Sequence, residues 1–292
     1  ARVEGEGALY LAIKDNQIEK INFKIFEPPR FFEAFLRGRN YLETPDIVSR
    51  ICGICPIAYI MGACESMENI LGITVPSDID ALRRLIYCGE WVESHVLHAA
   101  MLHAPDFIGL DDALQIAKAN PELVKTALKL KKLGNKIIEV VGGRSVHPIN
   151  TRVGGFYKAP EIMAIKALIP DLEWAIDASV FIAKEFAQFS FPDFEQDYHF
   201  VSLGNYERYP ILHGDIISSN GLSIAKSDFF NHFEEYQVDY SNALHCRLKN
   251  SKQPYLLGPL SRFNNNFEKL TLRTKNLAKE IGLGEGCRNP YK

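Results

Sequence analysis

Two cysteines three residues apart, Cys52 and Cys55, carry the most distinctive chemistry in this chain. They lie in Arg50-Ile-Cys-Gly-Ile-Cys-Pro56, where a tight turn through Gly53 can bring both sulfurs onto one metal. Downstream, Ile57, Ile60, Met61, Cys64, Met67 and Leu71 recur at helical spacing, so the thiols are expected to precede a core-packed helix. Pro56 suits the first helical position, and the amides at a helix N-terminus favour the thiolate that binds metal. The spacing by itself permits three readings: half of a four-ligand metal site, a thioredoxin-like redox pair, or two buried cysteines. No parallel βαβ pattern surrounds the pair, which weighs against the redox reading. A structural zinc site needs further ligands, and His95-Val-Leu-His98 offers two imidazoles on one helix face.

The elements that must position these residues follow from periodicity. Alternating apolar runs at 8–13 and 18–26, separated by 14–17, predict a hairpin. Helices are expected from residue 29 to about 39 and from 77 to about 102, the latter with Ser77 as cap and Asp80 in capping-box position. Asn120, Pro121 and the closing Gly142-Gly143 bound another helix. A fourth starts near Pro160, with a restart at Pro170, and runs to about 189; a last one covers roughly 267–281. Short strands are expected at 200–204 and 209–213. The fold class is α+β and helix-dominated, a long-helix bundle core with a small N-terminal β-sheet in one large domain. Within it, 1–27 form the hairpin, 28–190 the helical core, 190–255 a mixed insertion and 256–292 a C-terminal helix region.

Composition narrows the function classes. A hydrophobic content of 47% and a net charge of −3 describe an ordinary soluble chain with no basic excess to attract nucleic acid. No apolar run approaches the ~18 residues of a membrane span, and the N-terminus does not read as a signal peptide. Six cysteines at irregular positions (52, 55, 64, 88, 246, 287) do not form a disulfide pattern, so a reducing, cytoplasmic setting is expected.

Further motifs accompany the cysteine pair: Arg2-Val-Glu4-Gly5, Pro29-Arg-Phe-Phe-Glu33, Ser94-His-Val-Leu-His98, Gly143-Arg-Ser-Val-His147-Pro148 and Val153-Gly-Gly155. In order and rough spacing this set resembles the large, catalytic subunit of nickel–iron hydrogenases, and the resemblance runs from residue 1 to the end. Pro29–Glu33 and Leu260-Ser-Arg-Phe-Asn-Asn265 look most like the soluble, multi-subunit, NAD(P)-linked hydrogenases and sulfhydrogenases.

The resemblance implies a nickel–iron centre whose iron carries carbon monoxide and cyanide, with Cys52 a terminal nickel ligand and Cys55 a bridging one. It implies that Glu4 relays the proton released from dihydrogen, and that Glu33 binds a Mg2+ ion beneath the site. His95 and His98 would pack around the centre, and His147 would lie near a small-subunit interface, hydrogen-bonding toward an iron–sulfur cluster. Read without the family, Glu4 is a solvated strand-end carboxylate, Glu33 a member of a surface pair, and the histidines satisfied core residues. The family binds its metals with four cysteinates, the second CxxC lying close to the C-terminus. Here Cys287 has no partner three residues away, so the chain is expected to be truncated, its C-terminal metal-binding segment missing. The partners implied are a small iron–sulfur subunit and flavin- and NAD(P)-binding diaphorase subunits in a hetero-oligomer. Two alternatives stand beside this: a non-catalytic subunit of the kind found in respiratory complex I, and a zinc protein using Cys52, Cys55, His95 and His98.

Overall fold

The computed structural model describes residues 6–26 and 31–292. Along the chain, β1 (Glu6–Lys14) and β2 (Gln17–Phe26) form an antiparallel hairpin. Helices α1 (Phe32–Leu36), α2 (Thr44–Ser49), α3 (Pro56–Leu71), α4 (Ser77–Val96), α5 (Ala104–Phe107), α6 (Ala113–Ala119) and α7 (Pro121–Gly142) follow. A miniature hairpin of β3 (Thr151–Arg152) and β4 (Gly155–Phe156) precedes α8 (Ile162–Lys166) and α9 (Ile169–Phe186). Strands β5 (Val201–Gly204), β6 (Asp215–Ser218) and β7 (Ser223–Ile224) lead to α10 (Phe229–His232), then β8 (Phe233–Val238) and β9 (Ser241–Leu248). The chain continues through α11 (Pro259–Asn265) and α12 (Leu272–Glu280).

These elements group into two compact units. The helical one comprises Phe31–Pro192, Asn276–Gly282 and Tyr291–Lys292. Its core lies along α7, which buries Leu123, Ala127, Leu130, Leu133, Ile137 and Val141 on one stripe against α4 and α9. Backbones touch where α4 crosses α7: a Cβ on Gly134 would lie 2.6 Å from the Glu93 amide nitrogen and 2.7 Å from the Gly89 carbonyl oxygen. Only glycine permits that approach.

The second unit holds the described residues of 1–30, together with Asp193–Lys275 and Leu283–Pro290. It is built from small antiparallel sheets, ordered β1-β2, β5-β6-β7 and β8-β9. Asp15 and Asn16 both have positive φ, 48° and 62°, making the two-residue turn whose twist matches that of paired strands. Ser241 Oγ accepts the Ile25 amide at 3.2 Å and so ties the hairpin to β9. Phe200, Val201, Phe233 and Phe267 are buried here.

Several expectations are corrected. The first helix is a short one, Phe32–Leu36, entered through a left-handed Phe31. Ser77 makes no capping bond; it is already helical, with Pro76 in the cap position. The long helix remains α-helical to Val96 and then widens into a π-helical segment, Leu97–His103. The fourth helix, by contrast, restarts as expected at Pro170, which lies in the first turn of α9 after a break at Ala167-Leu168. Residues 209–213 form no strand; the partner of β5 is β6, because Pro210 denies the earlier run a ladder amide. The last helix begins at Leu272, after a 3-10 turn at Phe267–Lys269. Asn120 caps α7 as expected, accepting the Leu123 amide at 3.1 Å, and a left-handed Gly143 closes it.

Candidate metal centre

Cys52 and Cys55, both half-buried, occupy the turn between α2 and α3. Cys52 Sγ accepts the amides of Ile54 at 3.4 Å and Cys55 at 3.3 Å, an arrangement that suits a thiolate. Cys55 is the N-cap of α3 and Pro56 its first residue. The next two amides, of Ile57 and Ala58, donate to Glu90 Oε2 at 2.6 Å and Oε1 at 3.2 Å. Glu90 projects from α4 and is 2% exposed. Burial pushes its carboxyl up to about 8, against the pull of the two amides and with a further push from Glu93.

The near flank of the cysteine turn and the far end of α3 are both pinned. On the near side, His147 Nδ1 lies 2.8 Å from the Ser49 carbonyl oxygen, and Ser49 Oγ donates to the Asp46 carbonyl at 2.7 Å. His147 is itself left-handed, φ 46°, and its carbonyl accepts Arg144 Nε at 2.6 Å. At the far end, Glu68 of α3 and Arg83 of α4 form a buried two-bond pair at 3.0 and 2.6 Å. Glu68 also accepts the Gly154 amide at 2.7 Å, and Arg83 donates to the Arg152 carbonyl at 3.0 Å, so the pair ties the β3–β4 hairpin to both helices. The apolar face of α3 therefore runs as expected through Ile57, Ile60, Met61 and Cys64, then yields to buried Glu68 and leaves Leu71 exposed. Burial pushes the Cys64 thiol up to about 12, so this cysteine stays protonated and serves as core.

Glu4 lies outside the described residues. Glu33 is exposed in the first turn of α1. His95, on the last turn of α4, sets Nδ1 2.8 Å from the Trp91 carbonyl oxygen. His98 falls in the π-segment, where residues five apart come together, and its ring faces His103 at 5.5 Å between centroids. Among the described residues no group of three or more His, Cys, Asp or Glu is placed to hold a metal. The zinc set of Cys52, Cys55, His95 and His98 is thus not assembled.

Glu90, Glu68, Arg83 and Ser49 escaped the sequence reading. A signal for three of the buried charges was present: Arg83, Glu90 and Glu93 interrupt the apolar stripe of α4 at the spacing of Ile79, Ile86 and Val96, where a charge must find a partner.

The model of the nickel-dependent hydrogenase family matches residues 30–127, a stretch containing Glu33, both cysteines, His95 and His98. The NAD+-reducing [NiFe]-hydrogenase in the H2-reduced state superposes with a TM-score of 0.82 at 26% identity, over 100% of this chain and 70% of that one. Sulfhydrogenase 1 subunit alpha of Pyrococcus furiosus is 31% identical over 279 residues, 95% of this chain. The chain belongs to the nickel-dependent hydrogenase large-subunit family. Sulfhydrogenase 2 subunit alpha of the same organism is 43% identical over 159 residues. The chain spans 65% of the first of these sulfhydrogenase subunits, and its match to the second covers 39% of that subunit. As in a helix-dominated hydrogenase large subunit, the sheets are small and antiparallel. No described helix is long and apolar enough to cross a membrane.

Proposed function

We propose that this chain is the catalytic large subunit of a nickel–iron hydrogenase, interconverting dihydrogen with protons and electrons. The observation that carries the reading is the cysteine turn: two half-buried thiols, one receiving two amides, at the head of a helix in a chain of this family. Soft sulfur donors fit nickel and low-spin iron, and Cys52 and Cys55 would hold that centre. When bound, the centre, its iron carrying carbon monoxide and cyanide, supplies the redox chemistry of dihydrogen cleavage.

The chain's own residues hold the donors and move the proton. Glu4 takes the proton from the sulfur side and passes it outward, as a titratable carboxyl group can do in both directions. Glu33 would offer a hard carboxylate oxygen to a Mg2+ ion. His95 and His98 shape the surroundings. His147, with Nδ1 engaged by Ser49, has Nε2 to offer toward a partner subunit.

Electrons leave through another chain, because the remaining cysteines are scattered and cannot ligate an iron–sulfur relay. A small iron–sulfur subunit is therefore the direct partner, with flavin- and NAD(P)-binding diaphorase subunits completing a cytoplasmic hetero-oligomer. Elemental analysis of the native assembly tests the reading. Nickel together with iron is the expected result; zinc alone, or no metal, overturns it in favour of a zinc protein or a structural subunit of the complex I kind.

A further inference from the structure

The first turn of α3 meets an unusual demand. A helix N-terminus leaves amides in need of acceptors, and the side chain of the N-cap residue ordinarily supplies one. Here the N-cap is Cys55, whose side chain makes no capping bond, and Pro56 has no amide to donate. The first amides that need an acceptor are those of Ile57 and Ala58, and Glu90 meets both, one carboxyl oxygen to each. We propose that Glu90 is the positioning residue of the cysteine pair, capping α3 from a neighbouring helix so that Cys55 is set by backbone geometry. This inference rests on the reading of Cys52 and Cys55 as metal ligands.

Three features make the cap rigid. The carboxyl group is buried, so water does not compete for the two amides. Its mount cannot slide, because a Cβ at the adjacent Gly89 would lie 2.9 Å from Ile137 Cγ2 and 3.0 Å from the Gly134 carbonyl oxygen of α7. One turn on, Glu93 is tied to Lys131 of α7 at 2.9 Å. The position of α7 is thereby passed through Glu90 to amides two and three residues beyond Cys55. A carboxyl group is required rather than an amide, since each of its oxygens can accept an N–H whereas glutamine would turn an NH2 group toward one of the two donors. Glu90 touches no reacting atom and acts only through the main chain of α3.

The test uses the native assembly carrying Glu90→Gln, Glu90→Asp or Glu90→Ala, with Cys52→Ser in parallel. Amide hydrogen exchange is read in peptides covering Ile57 and Ala58 and, as a control, in peptides of α7; nickel and iron per chain are measured alongside. Glu90→Gln, nearly isosteric, is expected to fold, to exchange at Ile57 and Ala58 about tenfold faster with α7 unchanged, and to hold less than half the wild-type nickel. The nickel that remains should show shifted electron paramagnetic resonance g values. Glu90→Asp, one methylene short, should rescue neither exchange nor metal, as it would if charge alone mattered. Wild-type exchange and metal content in Glu90→Gln overturn the proposal whether or not Glu90→Ala folds. Nickel retained by Cys52→Ser overturns the ligand reading instead, so the two failures are told apart.

Discussion

His147 Nδ1 lies 2.8 Å from the carbonyl oxygen of Ser49, across 98 positions of sequence. A carbonyl only accepts, so Nδ1 carries the proton. Ser49 is fully buried at the end of α2, and Arg50-Ile51-Cys52 follows directly, so the bond holds the near side of the cysteine turn. The loop that carries His147 packs on α7, where a Cβ on Gly142 would meet the Pro148 ring at 2.5 Å.

Replacing His147 by alanine should cost about 1–2 kcal/mol of stability, because the buried Ser49 carbonyl loses its donor. Asn tolerates the left-handed φ of 46° better than alanine and can itself donate. His147→Asn is therefore expected to melt between the wild type and His147→Ala in thermal unfolding followed by circular dichroism. Identical melting of His147→Ala and the wild type would show that the bond contributes nothing.

Cys52→Ser and Cys55→Ser should each abolish hydrogen turnover and nickel incorporation. Serine offers a hard oxygen that scarcely ionises at neutral pH in place of a soft thiolate. The check is nickel and iron content together with hydrogen-dependent dye reduction in the purified assembly; appreciable activity in either variant would remove that cysteine from the ligand set.

Glu4→Gln should retain nickel and iron while slowing proton delivery, since the amide keeps the shape and loses the titratable group. Hydrogen–deuterium exchange and turnover are expected to fall together, by at least about tenfold on the scale of general acid–base catalysis. Wild-type rates in a fully metallated variant would place the proton route elsewhere.

The Glu90 carboxyl makes stability depend on pH in a definite direction. Its acidity in the folded chain is set near 8, above the ordinary 4.5, so between those values the native state keeps a proton that the unfolded chain releases. Its contribution is full below about 4.5 and is lost as pH rises through about 8. The stability of the wild type relative to Glu90→Gln should therefore decline across that window and level off above it, as read by urea unfolding at a series of pH values. A difference that does not vary with pH would mean that the carboxyl titrates normally.

Gly134→Ala should destabilise the helical unit by about 1–3 kcal/mol, because the added methyl meets backbone of α4 rather than a side chain that can swing away. Unfolding by urea gives the measurement. A neutral effect would show that the α4–α7 crossing can open at little cost.

Features with local causes were legible in the amino-acid sequence. Asn120, Pro121 and Gly143 mark the ends of α7 because a cap, a missing amide and a left-handed residue each act within one turn. Pro56 after Cys55 marks the start of α3 in the same way, and alternation in 6–26 makes the hairpin. The motif set from Arg50 to His98 carried the family, since it depends only on residue type and order.

What tertiary structure alone decided are the relationships across distance. That α4 widens into a π-segment at Leu97, so that His98 meets His103, depends on how that stretch packs and not on local propensity. The partner of β5 proved to be Asp215–Ser218 rather than the apolar run before it, because a strand exists only where a neighbour completes its ladder. The sequence placed two cysteines at the head of a helix. That the head is capped by Glu90, 33 positions away, and that the turn is held by His147, 98 positions away, follows from desolvation: buried amides and carbonyls must be paired, and only the packed chain determines which side chain is close enough to pair them.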